Sequence, residues 1–358
     1  LDAAYNFRLN ENIPVLILMA VIGAIFIGLT VSAEENIRDK KVLTRESFLN
    51  LSKSSYLFAK IFVLFVISLI QTLSFVLLGN LILGIQGMFL PYWIVLFSAS
   101  AFANILGLNI SASLKSIKVI YIIIPIIIIP QLLFSGVIVK FDKLKPLFAS
   151  QDGVPWIGNI MTSIWAYEAL AVNQFVNNEY EKQFFSLESK LNSANFKKGS
   201  WKDAVSNHLR NAKRHVDKER DEVEEKKYIY DLLIVRNALE SESRFLNLPF
   251  DGSGLYSNTF TMDVYNETQK VLNKISKHYT KIYNSNNKKK DKIIIGLEES
   301  KGKENFIKFK DSYSNDNLNS FLTNSNTTTF IQEYKGRLIP KKDYVYLRPY
   351  GSSFINSH

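Results

Sequence analysis

Between two apolar runs of this chain stands AEENIRDKKVLTRESFLNLSKSSYLFAK, residues 33–60. Glu34, Glu35, Arg38, Lys41, Arg45 and Glu46 recur at near-helical spacing, while Ile37, Phe48 and Leu51 could face lipid or a partner. The spacing predicts a short charged helix lying along a membrane surface. Such a set has no nucleophile, no paired acid and base and no metal-ligand spacing. Its chemistry is recognition by charge, and the ordinary alternative for a charge run is a solvated face.

Other chemistry is scarce. His208 and His215 lie seven apart, about 10 Å along one helix face, too far to share a metal ion, and they read as solvent-facing. There is no cysteine, so neither a disulfide framework nor a thiolate metal site is available. No Gly-x-x-x-x-Gly-Lys-Ser/Thr phosphate loop occurs, and DGSGLY (residues 251–256) reads as a turn. NKKKDK (residues 287–292) lacks the interleaved aromatics of a nucleic-acid surface. These observations exclude a catalytic assignment from spacing alone and set aside nucleic acid as a partner.

The elements that must position the charged stretch are membrane spans. The chain has 358 residues, of which 47% are hydrophobic, and a net charge of +10. Residues 1–139 hold only nine Lys or Arg and six Asp or Glu, so a mean hydropathy of +0.01 averages two unlike halves. Four runs reach the ~20 apolar residues a span needs: 13–33, 56–85, 92–113 and 117–139. Gly107 and Ser111 in the third form a small-xxx-small pair that lets another helix approach closely. Pro125 and Pro130 each remove a backbone donor from the fourth and mark helix kinks. Arg38, Lys40, Lys41, Arg45 and Lys53 in one loop, with Lys115 and Lys118 in another, place both loops in the cytoplasm. Residues 1–12 and everything after Val139 then lie outside. The first run lacks the marks of a signal peptide, and the chain starts at Leu1, so sequence upstream is expected.

The order of residues in the charged loop resembles the intracellular loop of the permease half of ABC exporters with the G-subfamily, or white-type, architecture. Glu34, Arg45, Glu46, Ser55, Tyr56 and Lys60 stand in its places. A second stretch carries the same resemblance: Phe134, Ser135 and Gly136, then Ser163, Trp165, Tyr167, Glu168, Ala169, Leu170, Asn173 and Phe175. The resemblance covers roughly residues 10–178. It implies a coupling helix over residues 34–55, with Glu34, Glu35, Arg38, Arg45 and Glu46 meeting an ABC ATPase that binds ATP and Mg. It also implies re-entrant and interfacial helices over residues 140–178, with Ser135, Gly136, Trp165, Tyr167 and Glu168 at an outer gate. A second permease half would complete the transport path, lined by the first and fourth runs. The family has six spans, so the first would precede Leu1 and the sixth follow His358.

The remaining half departs from that pattern. Tyr180, Phe184, Leu187 and Leu191 step as one helix, and Leu209, Val216, Val223 and Tyr230 repeat every seven. FKKGSW (residues 196–201) separates the two stripes, with Gly199 as a stop and Ser200 as a start. The expectation is an antiparallel hairpin whose second arm, 202–246, runs on the order of 65 Å. A third helix carries Val264, Leu272, Ile275, Tyr279 and Ile282, completing a bundle over 179–283. Residues 284–358 read as short helices and loops.

The fold class expected is an all-α membrane protein: four transmembrane helices of a six-helix permease plus a mainly helical extracytoplasmic bundle. The function expected is ATP-driven export across the cytoplasmic membrane, with the bilayer and an envelope protein as further partners and no cofactor held by this segment. Two competitors stand beside it. A membrane-anchored sensor or envelope-organising protein would bind a ligand through the bundle. A secondary transporter is disfavoured, because no ionisable residue sits in mid-membrane to couple an ion.

Overall fold

A computed structural model describes residues 5–46, 52–114, 116–138, 156–216, 218–327 and 329–346. Two units emerge. The first holds residues 5–182 together with 307–319, and the second holds 183–306 with 320–346.

The first unit starts with α1 (Ile13–Ala33), whose apolar residues run all round and whose Pro14 sits in the first turn, where a missing N–H costs nothing. The charged helix α2 (Glu35–Glu46) follows almost without a break. Helix α3 (Lys53–Leu83) is capped by Ser52, whose hydroxyl accepts from the Ser55 N–H, and ends at Gly84 with φ +65°. Helix α4 spans Phe89–Ser113 and α5 spans Ile117–Leu133. Helices α1, α3 and α4 are long and apolar enough to cross a membrane. The expected fourth span is shorter than its sequence pattern: α5 has 17 residues, about 25 Å, and the chain turns at Ser135–Gly136 instead of continuing to 139. Gly136 has φ +76°, a conformation open to glycine at little cost. Pro125 and Pro130 both lie inside α5.

Small residues decide how α1 and α4 meet. A Cβ on Gly107 would stand 2.0 Å from the Ser32 hydroxyl and 2.9 Å from the Leu29 carbonyl, and one on Gly28 would stand 2.6 Å from the Ser100 carbonyl. The close approach expected at Gly107 is therefore present, and Gly28 provides its counterpart on α1. Where lipid tails are as apolar as leucine, such packing and polar contacts replace the hydrophobic drive between helices. The polar contacts are here too: Ser68 Oγ accepts from Asn104 Nδ2 at 2.7 Å and from Ser100 Oγ at 3.0 Å, all three side chains being buried. Helices α6 (Trp156–Ile160) and α7 (Thr162–Val176) complete this half, and α7 lies against α1, α4 and α5. The returning stretch 307–319 clasps the lead-in to α1. Arg8 pairs with Asp311 and Asp316, and Asn315 Nδ2 donates to the Phe7 and Asn10 carbonyls at 2.7 and 2.9 Å.

The second unit is helical with one small hairpin: α8 (Phe185–Phe196), α9 (Lys202–Arg214), α10 (Glu222–Phe245), α11 (Met262–Lys301), the strands β1 (Ile331–Tyr334) and β2 (Arg337–Pro340), and parts of α12 (Lys303–Tyr313) and α13 (Asp316–Thr323). Its core joins Trp201, Val205 and Leu209, then Tyr228, Leu232, Val235 and Leu239, then Leu272, Ile275 and Tyr279.

Several expectations for this unit are corrected. FKKGSW does not turn the chain, because residues 197–201 form a π-helical turn that carries α8 directly into α9. Trp201 is buried there beneath the Lys197 ammonium, 4.6 Å from its ring, and Lys197 pairs with buried Glu242. The reversal lies between the end of α9 at Arg214 and Asp221. Asp221 caps α10 by accepting from the Val223 and Glu224 N–H groups at 2.9 and 2.7 Å, and the Arg220 guanidinium sits 4.1 Å from the Tyr228 ring. That turn resets the helical phase, so the seven-residue stripe does not continue: Leu209 is buried, while Val223 is 75% exposed. The 65 Å arm is two shorter helices. The third helix runs on through NKKKDK to Lys301, 40 residues and about 60 Å, stopping at Gly302 with φ +79°. Finally, β1 and β2 pair antiparallel around Lys335 and Gly336, both at positive φ, a two-residue turn in a stretch read as loop.

The histidines are also corrected. His208 is largely buried, its two ring nitrogens facing Asp231 and Glu333. His215 bonds the Asn211 carbonyl at 2.9 Å and stands beside Tyr228.

Candidate functional site

The residues singled out in the charged loop fall into two sets. Glu34, Glu35 and Arg38 lie at the junction of α1 and α2, where they take part in an ion cluster. Arg45 is exposed in the last turn of α2, and the Glu46 side chain lies outside the described residues.

The cluster is built by helical spacing on one side and by a single lysine on the other. Glu35 and Asp39, one turn apart, both turn toward α3, where Lys60 pairs with Glu35 and with Asp39 at 2.6 Å. Tyr56, one turn before Lys60, donates its hydroxyl to Asp39 at 2.9 Å. On the adjoining face Glu34 pairs with Arg38 at 3.2 Å and accepts from the Tyr121 hydroxyl of α5. The third side faces α4: Ser111 Oγ accepts from the Asn36 N–H at 3.0 Å, and Asn36 Nδ2 donates to the Leu108 carbonyl at 3.1 Å. The first turn of α2 is thus fastened to α3, α4 and α5 at once.

Energetics rank these contacts. Arg38 is 67% exposed, so its i,i+4 pair contributes little, about 0.3–0.5 kcal/mol. Lys60, Glu35 and Asp39 are each less than a third exposed. Removing Lys60 would leave two carboxylates in one partly desolvated site, at a cost of about 1–3 kcal/mol, between the surface and buried limits. Beside the cluster, a cleft of about 220 Å³ runs between Val31 of α1 and Ala59, Val63, Leu64 and Ile67 of α3, with Glu35, Tyr56 and Lys60 as its polar end. Sequence reasoning missed Asp39 as a partner and met Tyr56 and Lys60 only through their order in the loop. Their pairing depends on how α2 leaves α1, which spacing along the chain does not express.

The second set of residues does not converge. Ser135 Oγ donates to the Leu132 carbonyl at 2.8 Å and closes the end of α5. Trp165 is exposed and donates to the Asn159 carbonyl at 2.9 Å, Glu168 is exposed, and Tyr167 is buried on the opposite face of α7. Ser163, buried, ties α7 to α5 by donating to the Gln131 carbonyl at 2.9 Å. Residues 140–155 of the re-entrant and interfacial stretch expected over 140–178 lie outside the described residues.

A membrane unit of long apolar helices, with a charged helix fastened across their ends, calls for comparison with transport proteins. Residues 3–175 match the family model of the ABC-2 type transporter. This stretch is an ABC-2 type transporter membrane domain. The match agrees with the resemblance in the charged loop at the level of a type-2 ABC permease. It ends one residue before α7 does, so the helical unit from residue 183 lies beyond it. No curated protein and no solved structure matches the chain. The ABC-2 domain is a transport component, not a catalytic one, and its α1–α7 helices carry the ion cluster.

Proposed function

We propose that this chain is the permease half of an ATP-driven exporter in the cytoplasmic membrane, and that α2 is where movement of the ATPase enters it. One observation carries the reading: the first turn of α2 is anchored to α3, α4 and α5, so a push on its exposed end reaches three membrane helices together. Arg45, exposed in the last turn of α2, with the nearby Glu46, is the surface offered to the ATPase. The ATPase binds ATP and Mg on another domain or subunit. Alternating access follows if two such halves form the path between them, with α1 and α5 lining it.

The basic residues Arg38, Arg45 and Lys53 support a cytoplasmic α2, which puts the second unit outside. There it serves as a lid or as a docking surface for an envelope protein. Outer-gate roles for Ser135, Gly136, Trp165, Tyr167 and Glu168 belong to the same reading. A membrane-anchored sensor would have no use for a charged helix braced against three other helices.

Paired cysteine variants test the assignment in native membranes. Arg45→Cys is expected to cross-link to an ATP-binding subunit or domain and to resist an impermeant thiol reagent in intact cells, while Ser253→Cys reacts. Labelling of Arg45→Cys from outside, or protection of Ser253→Cys, would overturn the orientation; a cross-link to no ATP-binding protein would overturn the coupling.

A further inference from the structure

In the second unit His208 of α9 sits between two carboxylates. Its Nδ1 lies 2.6 Å from Asp231 Oδ1 on α10, and its Nε2 lies 3.1 Å from Glu333 Oε1 on β1. Each carboxylate offers only lone pairs, so both contacts need an N–H on the imidazole side. A neutral ring has one N–H, an imidazolium two. With Asp231 nearly sealed from solvent and Glu333 43% exposed, the inner contact keeps the last proton and the outer contact depends on the second.

From this geometry we propose that His208 is a pH-operated clasp, which holds the β1–β2 hairpin to the helical bundle while doubly protonated and lets its Glu333 end go when the Nε2 proton leaves to solvent. The transport reading is not needed for this. The hairpin has further fastenings that do not titrate: Asn237 Nδ2 donates to the Gly336 carbonyl at 3.0 Å, and Leu338 packs against the core. The turn therefore stays in place as a pivot while β1 loosens.

The groups acting on His208 come from both elements it touches: Asp231 on α10 and Glu333 on β1. Burial alone would depress the imidazole, but the Asp231 hydrogen bond and the two negative charges outweigh it and hold His208 above its ordinary 6.5. Tyr230 on α10 also faces Glu333; burial first, then that charge and a hydrogen bond to Glu333, raise its phenol, so it stays protonated while His208 titrates and limits how far β1 loosens. For a raised histidine, the contribution is complete below the unfolded value and is lost as pH rises through the folded one. The clasp is thus closed in acid and opens as pH rises through the raised value of His208.

Hydrogen exchange on the full chain in lipid nanodiscs between pH 5 and 9, corrected for intrinsic exchange rates, reads the clasp directly. Protection of the 331–339 amides is expected to fall about ten-fold across the His208 titration, the order expected for loss of one charge-assisted hydrogen bond. In Glu333→Gln the side-chain amide donates to a neutral Nε2 or accepts from a protonated one, so protection should stay high with no step. His208→Gln should show low protection and no step. Flat protection in the unaltered chain, or an undiminished step in Glu333→Gln, would overturn the clasp; the latter keeps the test valid even where His208→Gln fails to fold.

Discussion

The two units of this chain are built with opposite rules about which side chains face out. In the membrane unit Ser32, Ser68, Ser100, Asn104 and Ser111 are buried, while Phe58, Phe62, Ile70 and Leu81 stand exposed, Leu81 by 80%. In the second unit Leu209, Leu232 and Leu272 are sealed inside, and the lysines and glutamates of α10 and α11, apart from the paired Glu242, lie at the surface. One sequence therefore folds for two solvents. In lipid an exposed leucine costs nothing and a bare polar group is expensive, so polar side chains pair between helices. In water the same apolar area contributes about 25 cal/mol per Å² when buried, which is what holds α9, α10 and α11 together.

Core truncation should give the largest effect. Leu272→Ala, at the centre of the second unit's core, is expected to lose about 2–5 kcal/mol, read as a lower thermal midpoint with the membrane helices unaffected. An aspartate at exposed positions separates the two solvents most cleanly. Ile70→Asp, mid-way along α3 and 56% exposed, should cost about 3 kcal/mol of membrane insertion, seen as lost membrane-integrated protein. Val223→Asp, 75% exposed in the second unit, should change stability by no more than about 0.5 kcal/mol. Equal tolerance of both would break the comparison. Glycines give the next step. Gly107→Ala must displace Ser32 or part α1 from α4, at about 1–3 kcal/mol. Gly296→Ala, with open space in α11, should gain up to about 1 kcal/mol by circular-dichroism melting.

Legibility in the sequence divided along the same line. Three long spans and the close approach at Gly107 could be read because an apolar run and a small residue mean the same thing wherever the chain goes next. The fourth run reached 139 by hydropathy alone, but its Ser135–Gly136 pair marks the reversal, and Gly136 does turn the chain there. In the second unit the helices were readable but their connections were not. A seven-residue repeat through Leu209 and Val223 presumed one unbroken helix, and Asp221, three residues before Glu224, was the cap that divided it. Gly199, by contrast, looked like a stop and was absorbed in a π turn, because Trp201 and Lys197 gain burial and a partner by staying helical. Half of the ion cluster was legible, as i,i+4 charges on α2. Lys60 lies 21 residues beyond Asp39, and no local period links them.

The proposed coupling runs from the ATPase through α2 and its anchors, Lys60 among them, to the membrane helices. Its most direct test is a spin label at Met19→Cys, exposed on α1, in proteoliposomes holding two copies of this chain with the ATPase. The label-to-label distance should change between nucleotide-free and ATP-trapped states. In Lys60→Gln the change should shrink while ATP hydrolysis continues, because the contacts to α4 and α5 remain, and the exchange of charges in Asp39→Lys with Lys60→Asp should recover part of the loss. A full nucleotide-dependent distance change in Lys60→Gln would contradict the account.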